Sequence, residues 1–308
     1  MSIVVVGTVA FDKISTPFGK SDKIVGGAAT FIGLSASQFT DRVNLVSVIG
    51  DDFPTDFLEG LKQRNINLDG LQIKPGEKSF FWEGKYHYDM NSRDTLDTQL
   101  NVLADFEPVL PESYKDCDFL MLGNLAPVVQ LKVIDQLAVR PKLVVLDTMN
   151  FWMDSAMDDL KKVIAKVDVI AINDEEARQL SGEYSLVRAA RKILAMGPKY
   201  IVIKKGENGA LLIDDKSMFF SPALPLEDVM DPTGAGDTFA GGFIGYLANS
   251  RDISFENMKR AVVVGSAMAS FTVEKFGTER LLNLSEADID ERIQLFVDLV
   301  DFDILLVD

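Results

Sequence analysis

The stretch Asp231-Pro-Thr-Gly-Ala-Gly-Asp237-Thr-Phe-Ala-Gly-Gly242 passes from a turn straight into a helix. Phe239, Phe243, Tyr246 and Leu247 recur at i, i+4, i+7 and i+8, the spacing of one buried helical face. Gly234 and Gly236 allow close backbone approach, and the first helical turn leaves N–H groups without intrahelical partners. Together these features predict an anion hole suited to a phosphoryl group. A carboxylate at Asp237 competes with phosphate for the positive potential of such a hole, so its presence needs a reason. Two readings supply one: a general base beside a transferred phosphoryl group, or a cap on the helix start. Other glycine motifs do not fit. Phe239 stands where a dinucleotide fingerprint needs its third glycine, and Ile14 stands where a P-loop ending in Gly19-Lys20-Ser21 needs its first. Neither a Rossmann dehydrogenase nor a Walker NTPase is supported.

Upstream of this motif, apolar runs rich in β-branched residues recur at Ile3–Gly7, Val43–Ile49, Asp118–Leu122, Lys142–Asp147, Asp168–Asn173 and Tyr200–Lys204. Between them Pro54–Gln63, Pro127–Leu137, Asp154–Lys166 and Ser185–Met196 carry helical periodicity. Alternation of this kind predicts an α/β fold: a mostly parallel sheet with helices on both faces. Downstream, Met258, Val262, Gly265 and Ala269 form a second helical stripe, and Ser285–Leu299 reads as an amphipathic helix capped by Ser285. Lys78–Met90 breaks the pattern. Tyr86, Tyr88 and Met90 alternate with Lys85, His87 and Asp89, which is strand periodicity. With Glu83–Gly84 as a turn and Lys13–Val25 as a further extended segment, it predicts a small β lid over a ligand cleft.

Composition narrows the function. The 308 residues include 31 basic and 47 acidic side chains, a net charge of −16, so general attraction to nucleic acid or an anionic membrane is not expected. One cysteine, Cys117, excludes an intramolecular disulfide, and with one histidine, His87, it excludes a Cys/His zinc cage. The charge-free run from Ile24 to Thr40 is too short and too polar to span a membrane. MSIVVVG has no basic residue before its apolar stretch, so no secretory signal is expected and the cytoplasm is the anticipated location.

DPTGAGDTFAGGF at 231–243 resembles the C-terminal signature of the ribokinase-like (PfkB-type) carbohydrate kinases. Further matches run in the family's order along nearly the whole chain. Gly7-Thr-Val-Ala-Phe-Asp12 resembles its first-strand loop and Gly26-Gly27 its double glycine. Asn173-Asp-Glu-Glu176 resembles its Asn-x-x-Glu, and Lys204-Lys-Gly206-Glu-Asn-Gly209 its nucleotide-side turn. The resemblance implies a three-layer, Rossmann-like α/β kinase domain over 1–308, with a lid from about 13–25 and 71–92. It implies an ATP- and Mg²⁺-dependent kinase acting on a hydroxymethyl group of a small sugar, or alternatively of a nucleoside. A non-catalytic sugar-binding protein is the rival of another class.

By the same resemblance Asp237 is the base, and Gly234, Ala235 and Gly236 hold the phosphoryl charge. Asp12, Gly26 and Gly27 orient the acceptor. Asn173, Lys204, Gly206 and Gly209 serve the nucleotide, and Glu176 holds Mg²⁺ through water. Asp231 and Thr233 frame a K⁺ site facing Thr272–Gly277. Three stretches depart from the family pattern. Ala28-Ala29-Thr30 follows the double glycine where asparagine is common, Val264-Gly265-Ser266 offers no aromatic or histidine to adenine, and Asp147-Thr-Met-Asn150 lacks the arginine of some sugar-acid kinases. A strongly acidic sugar is therefore disfavoured. The lid's apolar face, having no core of its own, predicts a homodimer through the lid.

Overall fold

The computed structural model describes residues 1–301. Its main sheet has nine strands: β1 (Ile3–Val6), β5 (Val43–Gly50), β6 (Ile66–Lys74), β9 (Phe119–Leu122), β10 (Leu143–Leu146), β11 (Val169–Asn173), β12 (Tyr200–Lys204), β13 (Ala210–Ile213) and β14 (Met218–Ser221). They lie in the order β14-β13-β12-β11-β10-β9-β1-β5-β6. The seven strands from β12 to β6 are mutually parallel, and β13 and β14 add an antiparallel edge. All six expected apolar runs are parallel strands, as continuous apolar sequence requires of strands covered on both faces.

Among the described residues eleven α-helices flank the sheet: α1 (Ala28–Ala36), α2 (Thr55–Gln63), α3 (Pro127–Asp135), α4 (Asn150–Ser155), α5 (Met157–Ile164), α6 (Asp174–Ser181), α7 (Leu186–Leu194), α8 (Ala235–Ser250), α9 (Phe255–Thr272), α10 (Glu279–Leu282) and α11 (Glu286–Val300). The alternation of β1 sorts them into two layers. Ile3 and Val5 point into one core with residues of α1, α2, α8 and α9, while Val4 and Val6 point into the other with residues of α3, α5, α6 and α7. That is the expected three-layer arrangement. The helix expected over Asp154–Lys166 is two, because Ala156 leaves helical geometry at φ −145°, ψ 34°.

A second sheet holds β2 (Ala10–Thr16), β3 (Gly19–Lys20), β4 (Ile24–Gly26), β7 (Phe80–Tyr86) and β8 (Arg93–Gln99). It draws on residues 10–26 and 80–99, which corrects the expected bounds of 13–25 and 71–92. Residues 71–74 belong to β6, at the edge of the main sheet. Glu83–Gly84 is not a turn. β7 runs through it with a bulge, and the chain reverses over residues 87–92 instead. Turn-forming composition misled here, because Gly84 serves packing: a Cβ on it would lie 2.0 Å from the Trp82 ring.

Candidate active site

The charged groups gather at the C-terminal ends of the parallel strands, the edge where open α/β sheets bind ligands. Asp147 follows β10, Asn173 ends β11 and Lys204 ends β12, with Asn173 and Lys204 in register. Lys204 Nζ lies 3.3 Å from each carboxylate oxygen of Asp147. A Cβ on Gly236 would lie 3.0 Å from the same Nζ, so the ammonium sits against the start of α8.

That start is a tight glycine turn with unpaired amides. Gly234, at φ 78°, turns the chain into α8, and a side chain there would strike the Phe31 ring at 2.4 Å. Ala235 N–H donates to the Pro232 carbonyl at 3.2 Å, whereas the amides of Gly234, Gly236 and Asp237 have no acceptor among the described residues. Asp237 does not cap the helix: α8 has no side-chain cap, and the buried Oδ1 of Asp237 has no hydrogen-bond partner. Burial first, then the Asp147 charge, push the Asp237 carboxyl up to about 7 against the pull of Lys204 and Arg93. Glu176 is pushed up to about 7 by burial and by Asp147. Asp147 also stands above the usual carboxylate range, because burial outweighs its lysine partner. Burial works against the Lys204 ammonium, but Asp147, Glu176 and Asp237 outweigh it and hold its pKa above the ordinary value. Three carboxylates thus share one buried cation.

Asn173 and Glu176 form a capping box at α6. Asn173 N–H donates to Glu176 Oε2 and Glu176 N–H donates to Asn173 Oδ1, both at 2.8 Å. One Glu176 oxygen remains for other work. Among the described residues no group of three or more His, Cys, Asp or Glu could hold a metal ion directly.

Asp12, Gly26 and Gly27 come together on the other wall. β2 pairs with β4, and a Cβ on Gly26 would lie 1.8 Å from Asp12 Oδ2. Gly27, at φ 95°, brings its backbone against the Thr8 carbonyl. Burial, then the Asp231 charge, push Asp12 up to about 7, with the Gly27 amide opposing and Asp237 adding to the rise. Asp231 is fully buried, and burial raises its pKa. Its oxygens accept from Thr233 N–H at 2.9 Å and Gly277 N–H at 3.1 Å, tying the glycine turn to the segment after α9. Thr233 Oγ1 donates to Tyr86 Oη at 3.1 Å, which fixes β7 to the glycine turn.

The remaining expected residues are spread more widely. Gly206 and Gly209 shape the turn after β12 with positive φ. Gly209 packs on Ser221 and Pro222, while a Cβ on Gly206 would lie 2.6 Å from Asn91 Oδ1 in the turn before β8. Gly265 faces Phe239 in the core. A cavity of about 560 Å³ between α2 and β6 contains none of the candidate residues.

The pfkB family carbohydrate kinase model matches residues 3–283 of this chain. The chain belongs to that family. This pfkB-family kinase is 31% identical over 282 residues to the cytidine kinase of Thermococcus kodakarensis, a match covering 90% of the chain and 98% of that protein. It shares its fold with a putative ribokinase II of E. coli in complex with ATP and Mg²⁺, at 19% identity and TM-score 0.77, covering 97% of this chain and 99% of that one. A nucleoside kinase of Burkholderia thailandensis in complex with inosine matches at 19% identity and TM-score 0.76, covering 95% and 98%. No helix among the described residues of this kinase is long and apolar enough to cross a membrane.

Reading the sequence missed two charged groups in this kinase's cleft. Asp147 ends an apolar strand on the ligand edge of the sheet, a position that could have flagged it. Arg93 lies in Asn91-Ser-Arg-Asp-Thr95, a polar stretch with no signal; it is exposed, and the pairing of β8 with β7 brings its charge within reach of Asp237.

Proposed function

We propose that this kinase transfers the γ-phosphoryl group of ATP, with Mg²⁺, to a hydroxymethyl group of a nucleoside. The Asp237 carboxylate carries the phosphoryl-transfer reading, being unpartnered, beside free helix-start amides and in the field of Lys204. Asp237 accepts the acceptor's hydroxyl proton as that oxygen bonds to the γ-phosphorus, and ADP leaves as the bridging bond breaks. The amides of Gly234, Gly236 and Asp237 receive the phosphoryl charge, with Ala235 holding the turn between them. Lys204 and the backbone around Asn173, Gly206 and Gly209 hold the nucleotide. Asp12 accepts hydrogen bonds from the acceptor's hydroxyls, and Gly26 and Gly27 let it approach the backbone.

The donor set fits magnesium held through water. Asp147 and the free Glu176 oxygen offer carboxylates to water ligands, and the ion would neutralise charge on the β- and γ-phosphates. Asp231 fits a neighbouring K⁺ with Thr233, since its buried charge is met only by amides, with the 272–277 segment opposite.

Trp82 favours a nucleoside. Asp12 and Trp82 are register partners on neighbouring strands, so their side chains share the cleft face. The half-buried indole lies over Gly84, where it presents a surface for a base to stack on. The likeness to a named cytidine kinase supports this reading. The second reading, a small sugar, rests on the family's description as carbohydrate kinases, with Trp82 then a wall of the pocket. ADP release should be measured with ATP and cytidine, uridine, adenosine, inosine, ribose and fructose. We expect at least one nucleoside to exceed ribose about tenfold in kcat/KM; the reverse order would assign a sugar. Exposed Leu96 on β8, with exposed Phe18, Tyr88 and Leu100 in the segments flanking the second sheet's strands, supports a homodimer through this lid. An ATP-consuming enzyme of this charge also suits the cytoplasm.

A further inference from the structure

Little in the side chain of Asp237 holds it in place. Its Oδ1 is unpartnered, α8 has no side-chain cap, and the charges of Asp147 and Glu176 repel its own. The next residue is the opposite case. Thr238 is fully buried and bonded in three directions. Its N–H donates to the Gly234 carbonyl at 2.8 Å, closing the first turn of α8. Its carbonyl accepts from Ser35 Oγ on α1 at 2.7 Å, and its hydroxyl accepts from Thr272 Oγ1 on α9 at 2.8 Å. Ser35 and Thr272 are fully buried as well.

These bonds add what close packing does not supply. A Cβ on Gly241 would lie 2.4 Å from the Ile32 carbonyl of α1, and one on Gly265 of α9 would lie 2.8 Å from the Phe239 carbonyl, so α8 meets both neighbours backbone to backbone. Such contacts set the spacing of the helices. A buried hydrogen bond is directional, so it also sets rotation and position along the axis. Thr272 does more than bond to Thr238. The carbonyl of the following residue, Val273, accepts from Met230 N–H at 2.8 Å and from Asp231 N–H at 3.3 Å. The dipeptide Thr272–Val273 therefore grips the glycine turn twice, at 230–231 where it begins and at 238 where it has become helix. Gly234, Gly236 and Asp237 lie between the two grips.

We propose that Thr272 is a positioning residue for phosphoryl transfer: its hydroxyl, acting through Thr238, sets where the Asp237 carboxylate and the amides beside it stand relative to the acceptor and the transferred group. This rests on the kinase reading above. Being fully buried, Thr272 meets neither substrate and takes no proton; its work is geometric. Displacing a reacting group by about 1 Å can cost about a hundredfold in rate. The acceptor's contacts at Asp12, Gly26 and Gly27, and the nucleotide's at Lys204 and the turn after β12, belong to other elements. Loss of the Thr272 hydroxyl should therefore appear in kcat and spare both KM values.

Three variants of the full chain test this. Thr272→Val keeps the shape and removes the donor, Thr272→Ser keeps the donor, and Thr238→Val/Thr272→Val removes both partners together. The single valine variant strands the Thr238 hydroxyl and should melt below wild type. The double variant strands nothing and should recover most of that loss, which separates folding from positioning. With the best acceptor, kcat should fall about ten- to hundredfold in Thr272→Val and stay low in the double variant, with both KM values within about twofold of wild type. Thr272→Ser should keep kcat within about threefold. Wild-type kcat in Thr272→Val, or recovery of kcat along with stability in the double variant, would overturn the assignment. Hydrogen exchange supplies a readout without turnover. Measured relative to the amides of β1, those of residues 238–241 should exchange about tenfold faster in both valine variants than in wild type; an unchanged ratio would overturn the assignment too. If wild type transfers phosphate to no acceptor, the kinase reading fails instead, and the exchange ratio still decides whether Thr272 holds the start of α8.

Discussion

Asp237→Asn removes a charge and a base while keeping shape. Because Oδ1 of Asp237 has no partner and α8 has no side-chain cap, the amide forfeits no hydrogen bond of the folded state. Folding should benefit. A carboxyl raised from 3.8 to about 7 opposes folding wherever the unfolded chain has lost the proton. Below about pH 4 both states hold the proton and the penalty is absent; it grows between the two values and is complete above about pH 7. At 1.36 kcal/mol per decade of proton affinity the ceiling is about 4 kcal/mol, which partial exposure of the site reduces. The variant should therefore melt at or above the wild-type temperature, with the gap widening from pH 4 to pH 7. Turnover should move the other way, falling about 10²- to 10⁴-fold, as removal of a general base does. Wild-type kcat/KM should rise as pH passes through about 7 and the base ionises. Stopped assays of ADP, calorimetry with ATP and melting curves at several pH values test these points together. Turnover within threefold of wild type would refute the base assignment, and a lower melting temperature would refute the account of the carboxyl's environment.

Glu176→Gln keeps an oxygen that can accept from Asn173 N–H, so α6 should stay capped while the magnesium needed for half-maximal activity rises about tenfold; an unchanged magnesium titration removes Glu176 from the metal's surroundings. Gly26→Ala puts a methyl group where Asp12 Oδ2 now lies, 1.8 Å from the new atom, and should raise the acceptor KM while sparing that of ATP. An unchanged acceptor KM in steady-state kinetics would take Asp12 out of acceptor binding. Exposed Phe18, Tyr88, Leu96 and Leu100 predict a dimer by light scattering at micromolar concentration, and Leu96→Glu should shift it to monomer; a wild-type monomer sinks this interface.

The parallel core was legible because burial on both faces leaves little but Val, Ile and Leu in runs such as Leu143–Leu146. β6 was not, since Ile66-Asn-Leu-Asp-Gly-Leu-Gln-Ile-Lys74 lies at an open edge and mixes polar with apolar residues. Gly84 reads as a turn residue in one dimension and as room for an indole in three. In the cleft, the glycine turn and Asp237 are contiguous and could be read directly. Tyr86, Arg93 and Lys204 belong to three different strands and Asp147 follows a fourth, and only folding brings them to one place. That Asp237 is not a cap was likewise beyond the sequence, because Asp and Asn in a first helical turn look the same whichever way the carboxylate points.

The second sheet also has a place in time. β2 follows β1 after three residues, yet its parallel neighbour β7 is far downstream, with Ala10 paired to Phe80. Strand β5, helix α2 and strand β6 must be threaded into the main sheet between those two partners. Such distant pairing has a high loop-closure cost, so the β2–β7 ladder should zip late, after the β1–β5 core has formed. Late-formed, sparsely packed ladders are also the parts that open first under native conditions. Hydrogen exchange should therefore find the amides of β7 and β8 released long before those of β1, β9 and β10. The enzyme would then admit and release its ligands by undoing the last step of its own assembly.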